Sequence, residues 1–171
     1  LAQTSGWQTD FESGAREYVS ENYDKAREFL TTALDKTRAE KQTEASEQNA
    51  ALCQLWLAKV DFHKGALDQA EQRLQAALAT FKKGEKNPLQ NQNTIAALHN
   101  LAKVNWRRGR FEKAEKYYLE ALNLCKKVFG TNHPSTAEVM TNLGLFYDEM
   151  DEDEKAAETL VEAIDIYTAT V

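Results

Sequence analysis

The chain has 171 residues, 42% of them apolar, and a net charge of −6 from 21 basic and 27 acidic side chains. Its 7 Gly and 2 Pro make about 5% of the residues against roughly 12% in average usage, too few for the tight turns of a β-sandwich or barrel. No apolar run has the length of a bilayer span, mean hydropathy is −0.63, and Cys53 and Cys125 lack metal-ligand spacing and read as buried thiols.

The chain opens on Leu1 rather than methionine, which reads as a processed or trimmed start, and residues 1–6 are too short to be a targeting segment. Beyond them, apolar residues recur at intervals of three, four and seven, the period of amphipathic helices. Helices are expected over Trp7–Ser20, Tyr23–Gln42, Ser46–Lys64, Leu67–Lys83, Asn91–Arg108, Phe111–Phe129, Ser135–Met150 and Asp153–Thr170. Gly65 and Gly109 stand between members of a pair, where a positive φ can end a helix. Gly84 to Pro88 and Gly130 to Pro134 both read G-x-x-x-P, a stop followed by a proline able to open the next helix.

The pairs repeat. Leu57-Ala58-Lys59-Val60-Asp61-Phe62 recurs as Leu101-Ala102-Lys103-Val104-Asn105-Trp106, and the small residues Gly14, Ala58, Ala102 and Gly144 form one column. Twelve residues past each stands Ala26, Ala70, Ala114 or Ala156, followed by the columns Leu30, Leu74, Tyr118, Leu160 and Ala33, Ala77, Ala121, Ala163. Small residues at a helix crossing let two helices approach closely, and a hairpin with an apolar face buries it by stacking on another. The chain therefore reads as one all-α domain over 1–171, an α-solenoid of four helix-turn-helix repeats at about 7–44, 46–88, 91–133 and 134–171.

The order of small, aromatic and proline positions resembles the tetratricopeptide repeat. The 42-residue version with Leu98-His99-Asn100-Leu101-Ala102, Phe129-Gly130, His133-Pro134 and Ala137 is similar to the repeats of kinesin light chains. The resemblance covers nearly the whole chain, strongest in the third and fourth repeats. It implies a right-handed superhelix whose first helices line a concave groove for peptides of partner proteins, and it assigns Asn100 and Asn142 to the bound peptide's backbone.

On that frame the groove presents Lys59, Phe62, His63, Lys103, Trp106 and Arg107. Amides donate and accept without reading sequence, cations take carboxylates, and aromatics supply apolar area at low entropic cost. The expected ligand is an acidic peptide with an aromatic or aliphatic anchor, bound less tightly as salt rises. One departure stands out: three residues past the small column, where this family usually places a packing aromatic, come Glu17, Asp61, Asn105 and only then Tyr147. The aromatics Tyr18, Phe62 and Trp106 lie one place further on, open to either the core or the groove.

Charge is unevenly spread, with eight basic and three acidic residues over 100–130, and ten acidic residues against Lys155 alone over 138–165. The acids around the fourth hairpin turn read as a solvated turn that favours the start of the last helix. No catalytic motif, phosphate loop or metal-ligand spacing appears, so neither an enzyme, a cofactor nor a metal is expected. A pI of about 5.2 opposes a nucleic-acid partner, and no membrane partner is expected. The alternative to peptide capture is assembly, as a homo-oligomer through the last helix or as part of a longer array. Two unpaired cysteines suit a cytoplasmic protein, with an exported form left open.

Overall fold

The computed structural model describes residues 6–83 and 88–169. Its helices are α1 (Gly6–Val19), α2 (Tyr23–Ala39), α3 (Glu44–His63), α4 (Leu67–Lys83), α5 (Pro88–Arg107), α6 (Phe111–Phe129), α7 (Pro134–Glu149) and α8 (Asp153–Ala169), and no strand occurs among the described residues. The all-α reading and the four hairpins are met. The chain divides into two compact units, Leu1–Gly84 and Glu85–Val171. In the first, α1 pairs with α2 and α3 with α4, and α2 packs on α3; in the second, α5 pairs with α6 and α7 with α8, and α6 packs on α7.

Helix starts differ from expectation for local reasons. α3 begins before Ser46 because the Thr43 side chain accepts from Ser46 N–H (3.1 Å) while Ser46 Oγ accepts from Thr43 N–H (2.9 Å), a reciprocal cap. α5 and α7 begin at Pro88 and Pro134 themselves, since a first-turn position needs no N–H. His133 caps α7, its Nδ1 accepting from Ser135 N–H at 3.1 Å. The first G-x-x-x-P joint, at 84–87, lies outside the described residues, as does the expected end at Thr170.

The small column closes each hairpin. Ala58 and Ala102 are fully buried, and a Cβ added at Gly14 or Gly144 would lie 2.6 Å from Cγ of Leu30 or Leu160 respectively. The alanine columns at 26, 70, 114 and 156 and at 33, 77, 121 and 163 are buried throughout. In the last three repeats the column three residues past the small one also points inward, but with altered chemistry, while Glu17 of the first is only half-buried. Asp61 is only 1% exposed and pairs with Arg27 of α2 and Arg73 of α4, each at 2.8 Å. Arg73 in turn donates to Gln54 Oε1 at 2.6 Å. Buried Asn105 donates to Leu101 O (2.8 Å), and Tyr147 donates to Glu115 Oε1 (3.0 Å).

All four hairpin turns share one geometry. The residue seven past each small position adopts positive φ: Glu21 (60°), Gly65 (76°), Gly109 (67°) and Asp151 (57°). Its N–H bonds back to Tyr18, Phe62, Trp106 or Asp148 O, and the next N–H to Glu17, Asp61, Asn105 or Tyr147 O, the paired bonds of a Schellman motif. Glycine takes this conformation freely, whereas a side chain costs about 1–2 kcal/mol. Asp151→Gly is therefore expected to stabilise the second unit by about 1 kcal/mol, a gain read as a raised urea midpoint at unchanged slope. An unchanged or lowered midpoint would show that the acid recovers this cost elsewhere.

Candidate functional site

In the first unit the expected residues Lys59, Phe62 and His63 lie on the last two turns of α3, and the structure gathers aromatic rings around them. Tyr18 of α1 stands edge-on to Trp56 (5.5 Å) and to His63 (5.5 Å). His63 stacks on Tyr23 of α2 at 4.9 Å with the planes 12° apart, and Tyr23 Oη lies 3.3 Å from His63 Nδ1. Phe62 is edge-on to His63 at 5.6 Å. The Lys59 ammonium sits over two of these rings, 3.8 Å from the centre of Trp56 and 4.5 Å from that of Tyr18. Attraction to both ring faces gives this cation a defined position while the side chain stays half-buried. Burial, and secondarily the neighbouring Tyr23, raises the Tyr18 pKa.

The second unit carries Asn100, Lys103, Trp106 and Arg107 on α5 and Asn142 on α7. Asn100 Nδ2 donates to Ala96 O (2.7 Å) and Asn142 Nδ2 to Glu138 O (2.9 Å), each one turn back on its own helix. With the nitrogen used on the backbone, each amide keeps a carbonyl oxygen that is chemically able to accept an N–H. Lys103 is half-buried. Burial pulls its ammonium below the usual lysine range, Glu138 of α7 opposes that pull, and Arg107 adds to it. Beside it a cavity of about 320 Å³ opens between α5 and α7, lined among others by Ile95, Ala96, His99, Phe129, Glu138 and Val139.

The aromatics one place past the usual packing position take intermediate positions. Trp106 turns toward its own unit's core, edge-on to Phe146 (5.7 Å) and Tyr118 (6.4 Å), and stays half-buried. Tyr18 packs against the first unit's core beside Trp56, and Asp148 at the same repeat position is exposed. Sequence reasoning missed Tyr23 and Glu138, which approach the site from helices far away in the chain. Both cysteines are free and buried, as expected, and burial pushes the Cys53 thiol up to about 12, so it stays protonated.

Residues 93–169 match the family model of the tetratricopeptide repeat, and no curated protein matches the chain. Among solved structures, BtubC (BKLC) from P. vanneervenii superposes with a TM-score of 0.75 at 23% identity, over 91% of this chain and 60% of that one. The Rap conjugation gene regulator of plasmid pLS20, solved with the Phr* peptide, gives 0.77 at 19% identity, over 93% and 42%. Kinesin light chain TPR-like repeats of Podosopora anserina give 0.61 at 17% identity, over 99% of each chain. The chain thus spans three fifths or less of the first two proteins, and these likenesses establish the fold.

Proposed function

We propose that this chain, which carries tetratricopeptide repeats, is a non-catalytic adaptor that holds an acidic peptide segment with an aromatic or aliphatic anchor. Repeats of this kind serve generally as interaction scaffolds, and no helix among the described residues is long and apolar enough to cross a membrane. The observation that carries the reading is the second unit's face. There Asn100 and Asn142 share one back-bonded geometry, Lys103 and Arg107 stand on the same helix, and the cavity between α5 and α7 has room for a side chain. In the first unit, Lys59 held over Trp56 and Tyr18 offers a second placed cation beside Phe62 and His63. A peptide in complex with the Rap regulator is consistent with such use of the fold. With both thiols free and buried, the cytosol is the compartment proposed.

Ligands selected from an acidic, aromatic-containing peptide library are expected to lose at least about tenfold in affinity on Lys103→Glu/Arg107→Glu, more at low salt than at high. Glu138→Gln should tighten them, since it removes a carboxylate competing for Lys103. Isothermal titration of the three proteins decides the matter: ligands indifferent to the charge reversal would remove the cationic face from the site.

A second reading, assembly through α8, is favoured by the outward exposure of Val161, Ile164 and Tyr167. Sedimentation at two concentrations tests its homo-oligomeric form.

A further inference from the structure

The first unit leaves open a furrow that the second unit closes. Aligned on the small column, Gln54 and Thr80 stand where the second unit has Met140 and Ile166, and Arg38 and Ala76 where it has Lys126 and Glu162. Met140 and Ile166 are buried in one cluster with Leu122 packed against it, and Lys126 of α6 reaches Glu162 of α8 at 3.5 Å. Apolar packing and an ion pair thus join α6 to α8 over α7. In the first unit Gln54 and Thr80 are only half-buried, and Arg38 faces an alanine in place of a carboxylate. Between α2 and α4 two adjoining cavities remain over α3, of about 360 and 290 Å³, sharing Gln54 and Ala76.

The lining says what fits there. The α4 wall runs from Gln69 to Lys83, about 21 Å at 1.5 Å per residue, which about six residues of extended chain would span. Carboxamides follow it from Gln42 and Gln54 to Gln69 and Gln72. Gln54 uses only its oxygen, on Arg73 (2.6 Å), and the side chains of Gln69 and Gln72 hold no partner among the described residues. An amide both donates and accepts, so this row can satisfy a peptide backbone whatever its sequence. At one end Arg38 and Lys83 outnumber a single carboxylate, Glu47, and none of the three is in an ion pair among the described residues, which favours an acidic ligand residue. A helical ligand needs an apolar groove. The rims here carry Arg38, Gln69, Gln72 and Lys83, all exposed.

We infer that this furrow binds an extended segment of a partner protein, about six residues long, held through its backbone by the glutamines with an Asp or Glu at the Arg38 and Lys83 end. The site is separate from the cationic face of α5 and α7 and does not rest on it.

The test is a heteronuclear NMR titration of the full chain with the capped peptide Asp-Ser-Ala-Ser-Ala-Asp, whose two acids present one to Arg38 and Lys83 in either chain direction. The amide signals of Gln54, Ala76 and Thr80 should move. Replacing both Asp by Lys should weaken binding about threefold or more, and N-methylation of both alanine amides, which removes backbone donors, should abolish it. Arg38→Ala/Lys83→Ala, which alters exposed side chains only, should erase the preference for the acidic peptide. Gln54→Met/Ala76→Glu/Thr80→Ile, copying the second unit's closure, should abolish binding with unchanged circular dichroism, whereas Lys103→Glu/Arg107→Glu should leave it intact. A methylated peptide that binds as well as its parent, binding that survives the closure, or a titration that moves none of these signals overturns the inference. The methylation and Arg38→Ala/Lys83→Ala arms decide it however the closed variant folds.

Discussion

Arg27→Met/Arg73→Met is expected to destabilise the first unit by about 3–5 kcal/mol, because it strips both partners from a carboxylate that water does not reach. Asp61 is 1% exposed and is held from two sides, by α2 through Arg27 and by α4 through Arg73. Methionine keeps most of the aliphatic stem that each arginine packs along the surface, so the loss reports charge pairing more than packing. The reverse change is milder. In Asp61→Leu the arginines, whose side chains are 36% and 31% exposed, can turn their heads to water. Adding Asp61→Leu to the double variant should therefore restore most of the lost stability, since a buried ion network can be replaced by apolar residues of similar volume. Trp7 and Trp56 lie in the first unit and Trp106 in the second, so urea titrations followed by fluorescence in a Trp106→Phe background report the first unit. A loss below about 1 kcal/mol in the arginine variant would mean that Asp61 is stabilised by something other than the two ion pairs.

The same residue marks the boundary of what the linear pattern reveals. Hairpin pairing was legible because Gly14, Ala58, Ala102 and Gly144 recur with their alanine and leucine partners, and a crossing of two helices demands that regularity. The polar residues three places further on were legible as a departure but not as a solution. Asp61 meets Arg27 and Arg73 only when three helices come together, and no local spacing encodes that. Turns were half legible: Gly65 and Gly109 announce positive φ, whereas Glu21 and Asp151 adopt it under the same hydrogen bonds without a residue type that advertises it. The helices α3, α5 and α7 start earlier than periodicity alone indicates, because a Thr43–Ser46 cap and two first-turn prolines extend them toward the N-terminus. At the candidate site the cations and amides could be read from their columns. Their constraints could not, because Glu138 faces Lys103 from another helix and Tyr23 reaches His63 across 40 residues.

Gly144→Val is expected to cost the second unit about 3 kcal/mol, at the upper end of overpacking penalties. Even a bare Cβ there would stand 2.6 Å from Leu160 Cγ and 2.7 Å from Leu160 Cδ2, and a leucine branch point cannot swing clear as a chain end can. Alanine at 144 should cost less, because it recovers about 1 kcal/mol of helix propensity relative to glycine. Ala58 and Ala102 already occupy this column opposite Leu74 and Tyr118, so a hairpin of this design accepts one methyl when its helices stand slightly further apart. The decisive comparison is a cycle of Gly144→Ala with Leu160→Ala. Once the leucine is truncated, the added methyl has space and its helix propensity remains, so the pair should be more stable than the sum of the single changes by about 1 kcal/mol or more. Strict additivity in thermal or urea unfolding would show that the approach of α7 to α8 is not set by this contact. Because Asn142 lies two residues before Gly144 on the same helix, a displaced α7 also moves that amide. If Asn142 holds a peptide as proposed, Gly144→Ala should then weaken that binding modestly even where the protein stays folded, a loss that Leu160→Ala in the same chain relieves.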